Sequence, residues 1–305
     1  MMYVLLILGF VLLIKGADFF VDGASSIAHI LKIPSVVIGL TVVAMGTSAP
    51  EASVSIAAGI AGNSDISLGN IIGSNIFNLL MVIGISAVVY PVVSQKDIIG
   101  RDMWWNIGAS AALFALIADG EISRIEGVLL LLSMTVYLII VIRNALKTRI
   151  TDQADAEMSL SKSIIALVLG LAAIIAGGNM VVDNAELIAK AWGMSDTLVG
   201  LTIVAVGTSL PELVTSLTAA RKGDSGIALG NAVGSCLFNI MFILGLASVL
   251  TPIHAAAELV TDTGIMIAAS VIMLVLALSG RKTNRKEGLL CVLLYAAYTV
   301  YIIFR

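Results

Sequence analysis

Two glutamates, Glu51 and Glu212, stand deep inside long apolar stretches of the 305-residue sequence. At membrane depth an ionisable side chain costs at least about 2.5–3.5 kcal/mol, by analogy with insertion values for Asp, Lys and Arg. Each carboxylate must therefore be protonated, paired with a cationic side chain, or holding a mobile cation. The surrounding stretches carry no Lys or Arg away from their ends, which favours a bound ion over a permanently protonated structural residue. Thr47 and Ser48 precede Glu51 by four and three residues and Ser55 lies one turn beyond, so their oxygens share one helical stripe. Thr208, Ser209 and Ser216 repeat the pattern around Glu212. Pro50 and Pro211 sharpen it: Pro50 offers no N–H and its ring clashes with the carbonyl of Gly46, which should free carbonyls around Ala44–Thr47. In lipid such carbonyls need partners, and a desolvated cation is one.

A second pair of stripes lies further along. Asn70, Ser74 and Asn78 are spaced four apart, and Asn231, Ser235 and Asn239 match them. Each of these taken singly is as well explained by an interhelical hydrogen bond as by ligation; as a set beside two carboxylates they read as ligands. All are hard oxygens with no His or Cys pair, which fits Na⁺ or Ca²⁺ and disfavours zinc or copper. Mg²⁺ fits less well because it sheds water reluctantly. Two carboxylates make a site of charge −2, neutral with one Ca²⁺ and compatible with several Na⁺.

Helices that cross a membrane must position these groups. Hydrophobic residues make up 59% of the chain and charged residues 12%, against about 25% charged in an ordinary soluble domain, and mean hydropathy is +1.06. Runs of about 20 apolar residues, each long enough to cross a bilayer, divide the sequence into ten spans: 2–28, 35–61, 66–90, 103–118, 123–143, 161–188, 197–220, 226–250, 262–279 and 287–304. The expectation is an all-α membrane protein. With Met1 outside, most Lys and Arg, including Lys32, Lys96, Lys162, Lys222 and Arg281, fall on the cytoplasmic side, against Arg124, Lys190 and Arg305 on the other. That asymmetry places both termini externally. No basic residue precedes the first apolar run and no small-residue cleavage site follows it, so it reads as a retained helix, not a signal peptide. A net charge of −3 without basic runs argues against nucleic acid. Cys236 and Cys291 lie in apolar segments and read as core residues.

The sequence also repeats itself. GLTVVAMGTSAPE at 39–51 aligns without a gap with GLTIVAVGTSLPE at 200–212, and LGNIIGSNIFN at 68–78 with LGNAVGSCLFN at 229–239, an offset of 161 residues. The same offset carries Asp22 onto Asp183, Pro91 onto Pro252 and Tyr137 onto Tyr298. Five spans per half is an odd number, so the second half must enter the membrane from the opposite side. Residues 1–143 and 161–305 are thus expected to be two inverted five-helix repeats, joined by a short cytoplasmic linker at 144–160, a plan shared by many secondary transporters.

The paired GTSAPE/GTSLPE and GNIIGSNIFN/GNAVGSCLFN segments resemble the two α-repeats of the cation/Ca²⁺ exchanger family, particularly its prokaryotic Na⁺/Ca²⁺ exchangers. The resemblance covers the full chain. It implies a ten-helix fold with central ion sites at which three Na⁺ exchange for one Ca²⁺, hence electrogenic antiport. Carried over by position, its ligands here are Ala44, Thr47, Ser48, Glu51, Ser74 and Asn78, with Ala205, Thr208, Ser209, Glu212, Ser235 and Asn239 in the second half. The alanines would contribute backbone carbonyls. Several relatives carry Asp where this chain has Asn239; the smaller negative charge argues against a K⁺-cotransporting variant. The short linker leaves no room for a Ca²⁺-sensing domain.

The sequence therefore points to a transporter and not an enzyme, with no cofactor, with Na⁺ and Ca²⁺ as substrates and the lipid bilayer as partner, in a prokaryotic cytoplasmic membrane. A Ca²⁺/H⁺ antiporter is the nearest alternative, since protonating both glutamates also discharges the site. A cation channel follows at a distance, and an intramembrane hydrolase lacks any nucleophile–base pair. Lys15, Asp18 and Asp22 in the first span, with Asp183 and Glu186 in the sixth, are expected to pair or snorkel. His29 and His254 fall in or near loops, Trp104 and Trp105 read as interfacial anchors, and Asp119, Glu121, Glu126, Glu258 and Asp262 read as solvated external charge.

Overall fold

The computed structural model describes residues 1–148, 158–194 and 205–304. Most of the expected linker and the first part of the seventh span lie outside the described residues. The helices are α1 (Met2–Leu31), α2 (Ser35–Thr47), α3 (Ala49–Ile60), α4 (Ser64–Val89), α5 (Met103–Leu116), α6 (Arg124–Lys147), α7 (Leu160–Ala191), α8 (Ala205–Gly207), α9 (Leu210–Arg221), α10 (Ser225–Leu250), α11 (Ala257–Leu278) and α12 (Arg285–Phe304). Among the described residues seven helices are long and apolar enough to cross a membrane, or eight with the bent α2–α3 pair. The expected fourth span is the shorter α5, preceded by a π-helical turn at Ile98–Asp102; the seventh is described only from Ala205.

Apolarity alone does not decide where a helix sits. α4 and α10 are largely buried in protein, whereas α6 and α12 expose Ile125, Leu129, Leu132, Leu289, Leu293 and Val300, the surface that lipid covers. Four two-residue strands tie the loops: β1 (Val92–Val93) pairs with β4 (Lys282–Thr283), and β2 (Glu121–Ile122) with β3 (Ile253–His254). Adding 161 to Val92 gives Ile253, and adding it to Ile122 gives Thr283, so the two antiparallel pairings are one contact made twice with the halves exchanged.

α1 and α7 pack on each other far more extensively than either packs on the rest. Their seam is built of small residues: Gly9 lies against Gly177, Gly16 against Gly170 and Gly23 against Ser163. Lipid tails are as apolar as leucine, so close backbone approach supplies the attraction that hydrophobicity cannot.

Lys222 Nζ lies 2.6 Å from Asp22 Oδ1 and 3.6 Å from Asp18 Oδ1, while Lys15 is 3.9 Å from Asp18. Pairing is thus what the charges of the first span do, and their main partner comes from the opposite half. The groups are partly exposed, and such pairs are worth about 0–1 kcal/mol. Lys222→Ala should accordingly destabilise the protein by about 1 kcal/mol or less in a thermal melt, with the difference fading at high salt.

Several expectations need correction. Asp262 is not solvated loop charge: it lies within α11 and is 4% exposed. Glu126 closes a capping box with Ser123 at the start of α6, where its carboxylate serves the helix end. His254 does have a partner, Glu121, 3.5 Å away across the β2–β3 pair. Trp104 is exposed, but Trp105 packs on Tyr137 with ring centroids 5.5 Å apart. Beside it, Arg101 Nε and Nη2 donate to Asp102 at 2.7 and 3.0 Å and the Tyr137 hydroxyl donates to Asp102 at 3.0 Å, a network the sequence did not announce. Cys236 and Cys291 are fully buried, as expected.

Candidate cation-binding site

Local chemistry breaks two helices at matching places. α2 and α3 meet at Ser48 (φ −81°, ψ 10°) with a bend of 51°, and Pro50 occupies the first turn of α3. Ser209 (φ −92°, ψ 7°) precedes α9 in the same way, with Pro211 in its first turn. Proline is tolerated there because the first helical N–H groups have no intrahelical partner. Glu51 and Glu212 sit in these first turns, where the positive end of the helix dipole favours a carboxylate. Both are 0% exposed.

Each carboxylate is held by a serine of the other half. Ser209 Oγ donates to Glu51 Oε1 at 2.8 Å, and Ser48 Oγ donates to Glu212 Oε1 at 2.9 Å. From the same half Ser74 lies 3.5 Å from Glu51 Oε1 and Ser235 lies 3.4 Å from Glu212 Oε1, both at the long limit of a hydrogen bond. Ser209 Oγ is also 3.0 Å from Ser74 Oγ; having one proton, which goes to Glu51, it accepts from Ser74.

The stripes of α4 and α10 divide into two uses. Asn70 Nδ2 donates to Ser55 Oγ at 2.8 Å and Asn231 Nδ2 to Ser216 Oγ at 2.9 Å. Thr47 Oγ1 donates to Asn231 Oδ1 at 2.9 Å and Thr208 Oγ1 to Asn70 Oδ1 at 3.4 Å. These amides are brackets between helices, with Ser55 and Ser216 occupied by them. One turn beyond Ser74 and Ser235, π-helical turns at Phe77–Val82 and Phe238–Leu244 carry Asn78 and Asn239, wide turns of a kind frequent at functional sites.

Burial without a partner marks the remaining oxygens. Among the described residues Glu51 Oε2, Glu212 Oε2, Asn78 Oδ1 and Asn239 Oδ1 are buried acceptors with no hydrogen-bond partner. Buried polar groups are rarely left so, and among the described residues no Lys or Arg bonds to either carboxylate. Of the other expected ligands, Ala44 is buried and its carbonyl accepts the Ser48 N–H at 3.0 Å, so it is not freed by Pro50. In the second half the Ser209 N–H goes to Val206 instead, at 3.2 Å. Ala205 begins α8; its side chain is outside the described residues. Among the described residues two carboxylates and two amides thus keep buried oxygens without a partner, and serine hydroxyls bond the carboxylates; hard oxygens of this kind suit Na⁺ or Ca²⁺, which takes six to eight of them.

One residue of this site escaped sequence reasoning. Asn75 is 0% exposed; its Nδ2 donates to the Cys236 carbonyl at 3.2 Å and its Oδ1 accepts from Asn239 Nδ2 at 3.0 Å. A signal existed, since the repeat sets Asn75 against Cys236, an exchange of an amide for a thiol within an otherwise similar motif.

The sequence matches the sodium/calcium exchanger protein family over residues 1–143 and again over 162–304. It is 35% identical to the sodium/calcium exchanger MaX1 of Methanosarcina acetivorans over 99% of this chain and 98% of that one. To the inner membrane protein YrbG of Escherichia coli it is 37% identical, over 81% and 79%. The fold is similar to that of the sodium-calcium exchanger NCX_Mj soaked with Na⁺ and Sr²⁺, at a TM-score of 0.88 and 32% identity over 98% and 97% of the two chains.

Proposed function

The chain belongs to the sodium/calcium exchanger protein family, and on that footing we propose that it is a secondary antiporter exchanging Na⁺ for Ca²⁺ by alternating access at the Glu51/Glu212 centre. The observation that carries this is the state of the two carboxylates: each is fixed at one oxygen by a serine of the opposite half and offers its other oxygen to the interior without a protein partner. Ala44, Thr47, Ser48, Glu51, Ser74, Asn78, Ala205, Thr208, Ser209, Glu212, Ser235 and Asn239 form the ion path's coordinating set. Na⁺ and Ca²⁺ compete for the shared carboxylates, and that competition couples their movements. Three Na⁺ against two negative charges leave the site at +1, whereas one Ca²⁺ leaves it neutral, so exchange moves net charge.

The architecture proposed for this task is ten spans in two inverted repeats, 1–143 and 161–305, with 144–160 as a cytoplasmic linker and both termini external. Two observations and a symmetry argument support it. The same family matches each half separately; the serine–glutamate bonds and strand pairings are reciprocal between halves; and reciprocity of contacts is what a twofold relation produces. Lys32, Lys222 and Arg281 gather at one end of the bundle, where α1 stops, Ser26 bonds Met158 and β1 pairs with β4.

The test is radiolabelled Ca²⁺ uptake by reconstituted vesicles loaded with Na⁺, diluted into Na⁺-free medium at clamped pH. Uptake should require internal Na⁺ and run faster with the interior held positive. Uptake indifferent to Na⁺ and driven by a pH gradient would reassign the protein to Ca²⁺/H⁺ exchange; dissipation of a Ca²⁺ gradient without uphill movement would make it a channel.

A further inference from the structure

We propose that Asn75 is a positioning residue of the ion site, fixing the Asn239 amide with its carbonyl oxygen toward the ion, while Asn78 in the other half is left free to turn. The inference rests on the reading of Glu51 and Glu212 as the ion centre and concerns what makes the two halves of that centre unequal.

The argument is a chain of forced assignments. The nitrogen and oxygen of a carboxamide have nearly the same shape, so its orientation follows from its partners. A backbone carbonyl can only accept; the Asn75 atom 3.2 Å from the Cys236 carbonyl is therefore the nitrogen. That turns the Asn75 oxygen toward Asn239, 3.0 Å away, and the facing atom of Asn239 must then be its nitrogen. The Asn239 oxygen is directed away from this bond, buried and without a partner among the described residues. Flipping it would set oxygen against oxygen at the Asn75 contact, between two side chains that are 0% exposed. Asn239 is thereby held as an acceptor, which is what a cation needs.

The opposite half lacks the device. The position equivalent to Asn75 is Cys236, whose thiol lies 3.7 Å from the Asn75 carbonyl as a weak donor. Among the described residues neither the nitrogen nor the oxygen of Asn78 has a partner, although Asn78 is 0% exposed. Asn239 is accordingly an obligatory oxygen ligand; Asn78 can present oxygen to an ion or nitrogen to a neighbouring carboxylate as occupancy changes.

The experiment is Ca²⁺ binding by calorimetry in Na⁺-free detergent solution, on the whole protein, for Asn75→Leu and Asn75→Ala, each with and without Asn239→Ala. Groups that orient a metal ligand typically contribute about 10–100-fold in affinity, so Asn75→Leu and Asn75→Ala should weaken binding by about tenfold. In the Asn239→Ala background Asn75→Leu should change affinity by less than about twofold, because residues acting through one another are not additive. Equal losses in both backgrounds would mean that Asn75 merely packs the core. Should Asn75→Ala prove fully native in affinity, the proposal fails while the ion-centre reading stands; Ca²⁺ binding that survives Glu51→Gln would remove both.

Discussion

Glu51→Gln and Glu212→Gln should each reduce the initial rate of Na⁺-driven Ca²⁺ uptake by at least about 100-fold. Removing a unit charge about 4 Å from a cation costs about 4 kcal/mol at an effective dielectric constant near 20, and every 1.4 kcal/mol is a factor of ten. Neither carboxylate can cover for the other, because each is tied to the opposite half through Ser209 or Ser48 and both charges are needed to neutralise Ca²⁺. The double variant should therefore be no worse than either single one, the non-additivity expected of groups that act as a unit. Folding should survive: glutamine keeps the shape and the serine contact, and replacing a fully buried carboxylate removes a desolvation cost. Thermal melts of the purified variants, run beside the uptake assay, check both halves of this expectation. A single variant retaining more than a tenth of the native rate would show that its carboxylate is not an obligatory ligand.

What the sequence disclosed about this site, and what it hid, divides along physical lines. Lipid demands about 20 apolar residues per crossing, so the long apolar helices were legible, seven of them among the described residues or eight with the bent α2–α3 pair, and Pro50 and Pro211 announced the helix breaks because proline cannot complete the ladder. Side chains on one helical stripe were legible for the same geometric reason. Partners across the molecule were not: Ser48 and Glu212 are 164 residues apart, and no periodicity within a helix relates them. Spacing likewise put Asn70 and Ser74 on one stripe, yet Asn70 serves as a bracket while Ser74 faces the carboxylate. The buried Arg101–Asp102–Tyr137 network went unseen because adjacent charges at a span's edge look solvated until packing closes over them. Hydropathy also could not rank the helices by depth, since lipid and protein interior are alike to an apolar side chain. α4 and α6 read similarly in sequence, and only one of them is buried.

Closing the α1–α7 seam to side chains should be the second large effect. Gly170→Leu is expected to yield no folded, monodisperse protein, and Gly170→Ala a protein with a clearly lowered melting temperature. A Cβ at Gly170 would lie 2.6 Å from the Phe20 nitrogen, 2.8 Å from the Gly16 carbonyl oxygen and 2.8 Å from the Phe20 Cα. All three are backbone atoms of α1, so no rotamer change makes room; the helices must separate along their length. Overpacking typically costs about 1–3 kcal/mol even where flexible neighbours share the strain, and rigid backbone on both sides puts this site at or beyond that range. Separation also forfeits the dispersion contacts that hold helices together in lipid, for which no hydrophobic gain substitutes. Gly100 is the control: a Cβ there meets nothing within 4 Å, and Gly100→Ala should melt as the native protein does. Size-exclusion profiles and thermal melts in detergent decide the matter. Were Gly170→Leu monodisperse with an unchanged melting temperature, the close approach of α1 and α7 could not be what joins them.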